Sequence, residues 1–387
     1  MLPYPVLGLA HRRYGDPAPF GITPADRRFH LYCLGQSGTG KSTMLKNLIW
    51  QEARFGQRLC LIDPHGDLAF DVHQNITRPH LYWDVSDPNC PLGYNPLQHV
   101  GNAFRPLVAS GLIDALKKQW PDAWGARMEH LLRHAILALL EQPTVDLRDL
   151  MRLFVYKGFR RQVTERLTDP QVRFFWKHEF PALNYQTSAD GVAPISNKLG
   201  AFLAHPTVRT ALCEPRVPLR FRRTMDDGEI LLINLAKGRL GADVTNVLGG
   251  LISSSILNAA FTRHDTVEDD RRPFALHIDE FHNLTTHSFT DMLSEARKYA
   301  LSVTLAHQHL SQIDTASRDA ILGNVGSLVL FRVGAHDAPP LARFLGPFSP
   351  ADLQNQPNHR AIVWMMHQSE RLRPFTAHML PAYHSGT

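Results

Sequence analysis

The chain has 387 residues, 44% of them apolar and 9% aromatic, enough to build a full core, so wholesale disorder is excluded. Forty-one Lys and Arg against thirty-six Asp and Glu give +5 before twenty-one histidines are counted. That mildly basic balance permits a nucleic-acid partner without requiring one. No run of about 18 apolar residues occurs, so no transmembrane helix is expected, and Met1-Leu2-Pro3-Tyr4-Pro5 lacks a signal-peptide layout. The expectation is a cytoplasmic chain without direct membrane insertion. Cys33, Cys60, Cys90 and Cys213 lie far apart with no C-x-x-C pair, which points to free thiols rather than disulfides or zinc.

Residues 1–28, rich in Pro, Gly and Arg, read as an N-terminal arm with little regular structure. A short apolar strand follows over Phe29–Leu34, then a Gly-rich turn, then helical spacing in Met44, Leu45, Leu48 and Ile49. Leu59–Ile62 is a second strand that ends in the turn cluster Asp63-Pro64-His65-Gly66-Asp67, and Leu81–Val85 is a third. Strand, helix and strand at this spacing predict βαβ units and a parallel sheet. Helical periodicity then takes over at Leu107–Trp120, Arg127–Leu140, Leu147–Tyr156, Gln171–Phe180 and Ile195–Leu203. Residues 100–223 accordingly read as an all-α inserted domain. Strands return at Ile230–Leu235, Phe274–Ile278, Leu301–Ala306 and Leu328–Val333, with Ala361–Met366 as a final one. The expected architecture is α/β: a nucleotide-binding domain of residues 29–99 and 224–387 interrupted by a helical domain.

Gly35-Gln36-Ser37-Gly38-Thr39-Gly40-Lys41-Ser42 fits G-x-x-x-x-G-K-S between a strand and a helix. Its glycines let backbone N–H groups turn toward phosphates, and the helix N-terminus adds a positive dipole end. Lys41 would reach the β- and γ-phosphates of ATP, and the Ser42 hydroxyl would bind Mg²⁺. Phe274–Ile278 ends in Asp279 and Glu280, which suit a magnesium ligand and a base that polarises the attacking water. His277, inside that strand, reads as a core or interface residue. Gln308 follows the Leu301–Ala306 strand, where it could touch both a γ-phosphate and a neighbouring loop. Arg297 fits either a solvated helix-end charge or a finger reaching a neighbour's phosphate. Asp63 and Asp67 sit where open sheets bind ligands, or simply form a turn. Lys237-Gly238-Arg239 and Arg220, Arg222 and Arg223 are small basic groups, either solvated or facing a phosphate backbone.

In order, Gly35 to Thr43, Asp63 to Asp67, Tyr94-Asn95-Pro96-Leu97, Ile278-Asp279-Glu280-Phe281, Ala296-Arg297-Lys298-Tyr299 and Gln308 resemble the HerA/FtsK superfamily of RecA-like motor ATPases. They are most similar to the coupling ATPases of conjugative type IV secretion, over roughly residues 29–345. The resemblance implies a homo-hexamer that pumps DNA with ATP and Mg²⁺, and a relaxase, secretion-channel or nuclease partner. It casts Arg297 as a trans-acting finger and Gln308 as a sensor. Departures are the lack of leading transmembrane helices and Ala300 where the family often has Gly. Two competing readings are a HerA-like DNA-processing ATPase working with a nuclease, and an ATP-gated assembly switch.

Overall fold

The computed structural model describes residues 2–98, 100–182, 191–284 and 286–383. They form two compact units by contact: Met1–Tyr82 with Arg222–Leu235 and Arg263–Thr387, and Trp83–Phe221 with Ala236–Thr262.

The first unit is organised by an eleven-stranded sheet. Its strands are β1 Val6–Ala10, β2 Ala18–Gly21, β3 Leu31–Leu34, β4 Arg58–Asp63, β5 Leu81–Asp84, β6 Ile230–Asn234, β7 Phe274–Ile278, β8 Leu301–His307, β9 Ser327–Leu330, β10 Arg360–Trp364 and β11 Phe375–Met379. Their spatial order is β2-β1-β11-β10-β9-β3-β8-β7-β4-β6-β5. From β9 through β3, β8, β7 and β4 to β6 the pairing is parallel, whereas β10, β11, β1 and β2 run antiparallel. The parallel strands are near-continuous apolar runs, and every residue of β3, β6, β7, β8 and β9 is buried. That is what a strand covered on both faces requires. Helix α1, Lys41–Arg54, buries Met44, Leu45, Leu48 and Ile49 in this core. Cys33 and Cys60 are buried and all four cysteines are free; burial pushes the Cys33 thiol up to about 12.

The N-terminal segment departs from the expected irregular arm. β1 pairs with β11 and β2 with β1, so it finishes the sheet's antiparallel edge. Pro and Gly masked the strand signal, because edge strands tolerate both. Within the same segment, Arg27 is only 4% exposed and forms an ion pair of 2.9 Å with the fully buried Glu52. Glu52 also accepts from His277 at 2.6 Å, which places His277 in the core. Burial alone would raise the Glu52 carboxyl, but Arg27 and His277 hold it down at about 2.

The second unit is helical, with α2 Arg105–Gln119, α3 Ala126–Leu140, α4 Leu147–Val155, α5 Lys157–Arg166, α6 Val192–Ala204 and α7 Pro206–Cys213. By contact it begins at Trp83 and also takes in Ala236–Thr262, against the 100–223 read from the sequence. The reason is α8, Ala242–Phe261, which packs along α2. Gly111 on α2 faces the Asn258 side chain of α8, whose amide nitrogen would lie 2.9 Å from a Cβ there. Tyr94 donates to Ser255 on the same helix, and Asn95 Nδ2 to the Val145 carbonyl at 2.6 Å, so Tyr94–Leu97 braces this unit. Ala242–Asp265 is long and apolar enough to cross a membrane, which the sequence reading overlooked. However, 72% of its most apolar 18-residue stretch is buried.

His30 supplies a pH-dependent contribution to stability. Its Nδ1 accepts from Val303 N at 3.1 Å while Nε2 donates to Leu293 O at 2.9 Å, which fixes a neutral ring. Burial lowers its pKa from 6.5 to about 4. Between those values the unfolded chain binds a proton that the folded one refuses. Stability is therefore full above about pH 6.5 and falls toward pH 4, by ~3 kcal/mol for this group. Urea unfolding followed against pH should show this slope, and His30→Gln should reduce it by about one proton. An unchanged slope would refute the assignment.

Candidate functional site

The phosphate loop follows directly from β3. Gly38 and Gly40 adopt φ of 74° and 119°, left-handed conformations open to glycine at little cost. Gly35 has no room for a side chain either, since its Cβ would fall 2.5 Å from that of Phe331. Helix α1 starts at Lys41, so its free N–H groups and dipole point into the loop. The Lys41 ammonium donates to the carbonyls of Gly35 at 2.6 Å and Gln36 at 3.2 Å. Thr39 is turned inward, donating to Gln36 O at 2.7 Å.

Parallel register brings distant residues to the same sheet edge. Ile62 and Ile278 are partners across β4 and β7, so Asp63 and Asp279 emerge side by side. Leu34 and His307 are partners across β3 and β8, which places Gln308 beside the loop. A cleft of about 590 Å³ opens there, lined by Ser37, Gly38, Gly40, Lys41, Ser42, Thr43, Asp63, Asp279, Glu280 and Gln308. These residues were singled out from the sequence, and they converge from four strands of one sheet. Lys46, His65, Asp67, Leu68, Asp71, His359 and Ala382 complete the lining. His359 and Ala382 had no local signal, because they reach the cleft only through the antiparallel half of the sheet.

The acids are strongly buried. Asp279 is 7% exposed, and burial, followed by the charges of Asp63 and Glu280, pushes its carboxyl up to about 7. Glu280 adopts φ 44° and accepts from Gln308 Nε2 at 2.7 Å through Oε1. Its Oε2 lies 3.5 Å from His282 Nδ1 and has no hydrogen-bond partner. A buried acid cluster with an unmet carboxylate oxygen suits a cation. Among the described residues, no three His, Cys, Asp or Glu are arranged to hold a metal. Mg²⁺ takes one or two protein ligands and completes its shell with phosphates and water, a demand that Ser42 and Asp279 in one cleft can meet.

Asp63 has a structural task at this edge. Its two oxygens accept from His65 N and Ala69 N, both at 2.9 Å, and fix the turn into the Asp67–Asn75 helix. Gly66 in that turn has φ 95°, and a Cβ would lie 2.1 Å from Asn234 Oδ1. Asp63→Ala strands the buried Ala69 N–H and frees the part-buried His65 N–H, and is expected to cost about 1–3 kcal/mol in urea unfolding. A wild-type midpoint would leave Asp63 with a ligand role alone.

Arg297 does not line the cleft. It is exposed, its guanidinium stacks 4.0 Å from the Phe29 ring centre, and it borders a separate cavity of about 330 Å³ with Arg28 and Pro273. The basic groups found in the sequence are largely neutralised. Arg222 pairs with Asp226 and Asp265, Arg223 with Asp227, and Arg239 lies 4.0 Å from Asp84.

Comparison with known proteins follows this geometry. Residues 273–351 match the family described as the TraM recognition site of TraD and TraG. Among solved structures, the plasmid coupling protein TrwB with a non-hydrolysable GTP analogue superposes with a TM-score of 0.69 at 18% identity. That match covers 99% of this chain and 96% of TrwB. TrwB with ADP and Mg²⁺ gives 0.65 at 18% identity, covering 95% and 87%. VirB4 of Thermoanaerobacter pseudethanolicus gives 0.63 at 15% identity, covering 97% and 96%. No curated protein sequence matches the chain. The chain thus has the RecA-like fold of these proteins, a mostly parallel sheet with many helices.

Proposed function

We propose that this chain is an ATP-hydrolysing motor that moves DNA, a coupling-protein-like ATPase of conjugative transfer. The observation that carries the reading is the single cleft in which Lys41 and Ser42 face Asp279, Glu280 and Gln308. Lys41 and the loop amides, Gly35 to Thr43, bind the phosphates, and Lys41 neutralises charge that develops on the γ-phosphate. Ser42 and Asp279 would hold Mg²⁺, which would supply positive charge against the phosphates. Glu280 orients and deprotonates the attacking water, and Gln308 ties that carboxylate to the end of β8.

The structural likeness to TrwB, solved with ADP and Mg²⁺, supports nucleotide use at the same fold. The match of residues 273–351 to a TraM recognition site favours a partner in a transfer complex over a nuclease. In a homo-hexamer Arg297 would act in trans, a reading supported by its exposure beside a cavity separate from the cleft. Phosphate release should rise severalfold on adding DNA, and single- and double-stranded DNA tested separately identify the substrate form. A slow rate indifferent to both would reject the motor and leave an ATP-gated switch.

A further inference from the structure

The cleft has a charged side, where Lys41 meets Asp279 and Glu280, and that side accounts for phosphates and metal. It leaves the sugar and base of a nucleotide without an assigned surface. Among the lining residues that take no part in that charge chemistry, His359 and Ala382 flank the antiparallel strands β10 and β11.

His359 stands at the shoulder of the phosphate loop. Its backbone N–H donates to Thr39 O at 2.8 Å, and its carbonyl accepts from Met379 N at 2.9 Å. Its Nδ1 lies 3.0 Å from where a Gly40 Cβ would be. The residue adopts φ 62°, a conformation a histidine adopts at a cost and keeps only where its surroundings enforce it.

Ala382 is fixed by a latch on α1. Asn47, on the phosphate-loop helix and only 5% exposed, donates to Leu380 O at 3.2 Å and Pro381 O at 2.8 Å. Its side-chain oxygen accepts from Tyr383 N at 2.9 Å. Trp50, on the same helix, stacks on Tyr383 with ring centres 3.6 Å apart and planes 26° from parallel. A segment outside any helix or strand is thus tied by three hydrogen bonds and one stack to the helix that starts at Lys41. The latch holds Ala382 at the cleft wall.

We propose that Leu380–Tyr383, latched by Asn47 and Trp50, forms with His359 the nucleoside side of the cleft, against which the sugar and base pack. This rests on the nucleotide reading above. By linkage, a ligand that touches the segment must also strengthen its docking, whereas one that fills only the phosphate side need not.

The test compares ADP with inorganic tripolyphosphate, both with Mg²⁺, by calorimetry. Ala382→Trp fills the nucleoside side from an exposed position that tolerates bulk, and Asn47→Ala releases the latch. Each should weaken ADP about tenfold or more while tripolyphosphate stays within about twofold. His359→Ala should show the same split. In the wild-type protein ADP should slow amide hydrogen exchange at Leu380–Tyr383, and tripolyphosphate should not. Unchanged ADP affinity in Ala382→Trp and Asn47→Ala overturns the proposal. Equal losses for the two ligands overturn it too, since the segment would then serve stability alone. Lys41→Ala is the separate arm and should weaken both ligands. If it weakens neither, the nucleotide reading itself fails.

Discussion

Glu280→Gln is expected to bind ATP as the wild type does and to hydrolyse it about 10²–10³-fold more slowly. The substitution keeps shape and hydrogen bonding, since an amide oxygen at that position still accepts from the Gln308 Nε2 that now lies 2.7 Å from Oε1. On the proposed mechanism it removes the base that takes a proton from water, a loss of ~3–4 kcal/mol in transition-state stabilisation. Asp279 stays in place, so metal and nucleotide binding persist. Lys41→Ala should abolish turnover by a different route, weakening phosphate binding itself. Single-turnover hydrolysis with preloaded ATP separates the two: Glu280→Gln retains nucleotide and Lys41→Ala loses it. Wild-type turnover in either variant would remove that residue from the site.

Mixing Arg297→Ala with Lys41→Ala subunits should restore part of the activity that each lacks alone. Arg297 is exposed and stacked on Phe29, and it faces a cavity other than the cleft of its own chain. A finger supplied in trans contributes on the order of 10³-fold or more in rate. In mixed rings, an intact Lys41 cleft sits against an intact Arg297 at some interfaces, which neither parent offers. Turnover per chain should also rise with protein concentration as rings assemble. If mixed rings form and remain as inactive as their parents, or if Arg297→Ala alone is fully active, Arg297 is an ordinary helix-end charge.

The sequence by itself determined what depends on neighbours along the chain. Gly35–Ser42 announces its loop because glycine spacing, lysine and the following helix all act within one turn. The buried strands announce themselves because apolar runs covered on both faces need no partner's identity to be recognised. Asp279 and Glu280 were legible as acids that end such a run.

Tertiary structure decided everything that depends on pairing across the sheet. Residues 1–28 look irregular alone and become β1 and β2 only because β11 offers an antiparallel edge. Ala242–Phe261 follows a strand of the sheet in sequence, yet by contact it groups with Arg105–Gln119 in the helical unit. Asp63 reads equally as ligand or turn residue, and its two bonds to His65 and Ala69 give it the turn. His359 and Ala382 reach the cleft through contacts with Thr39 and Asn47 that span more than three hundred residues of sequence. Local propensity carries no information about such contacts. They are selected by the register of the parallel strands and by the burial of the whole sheet.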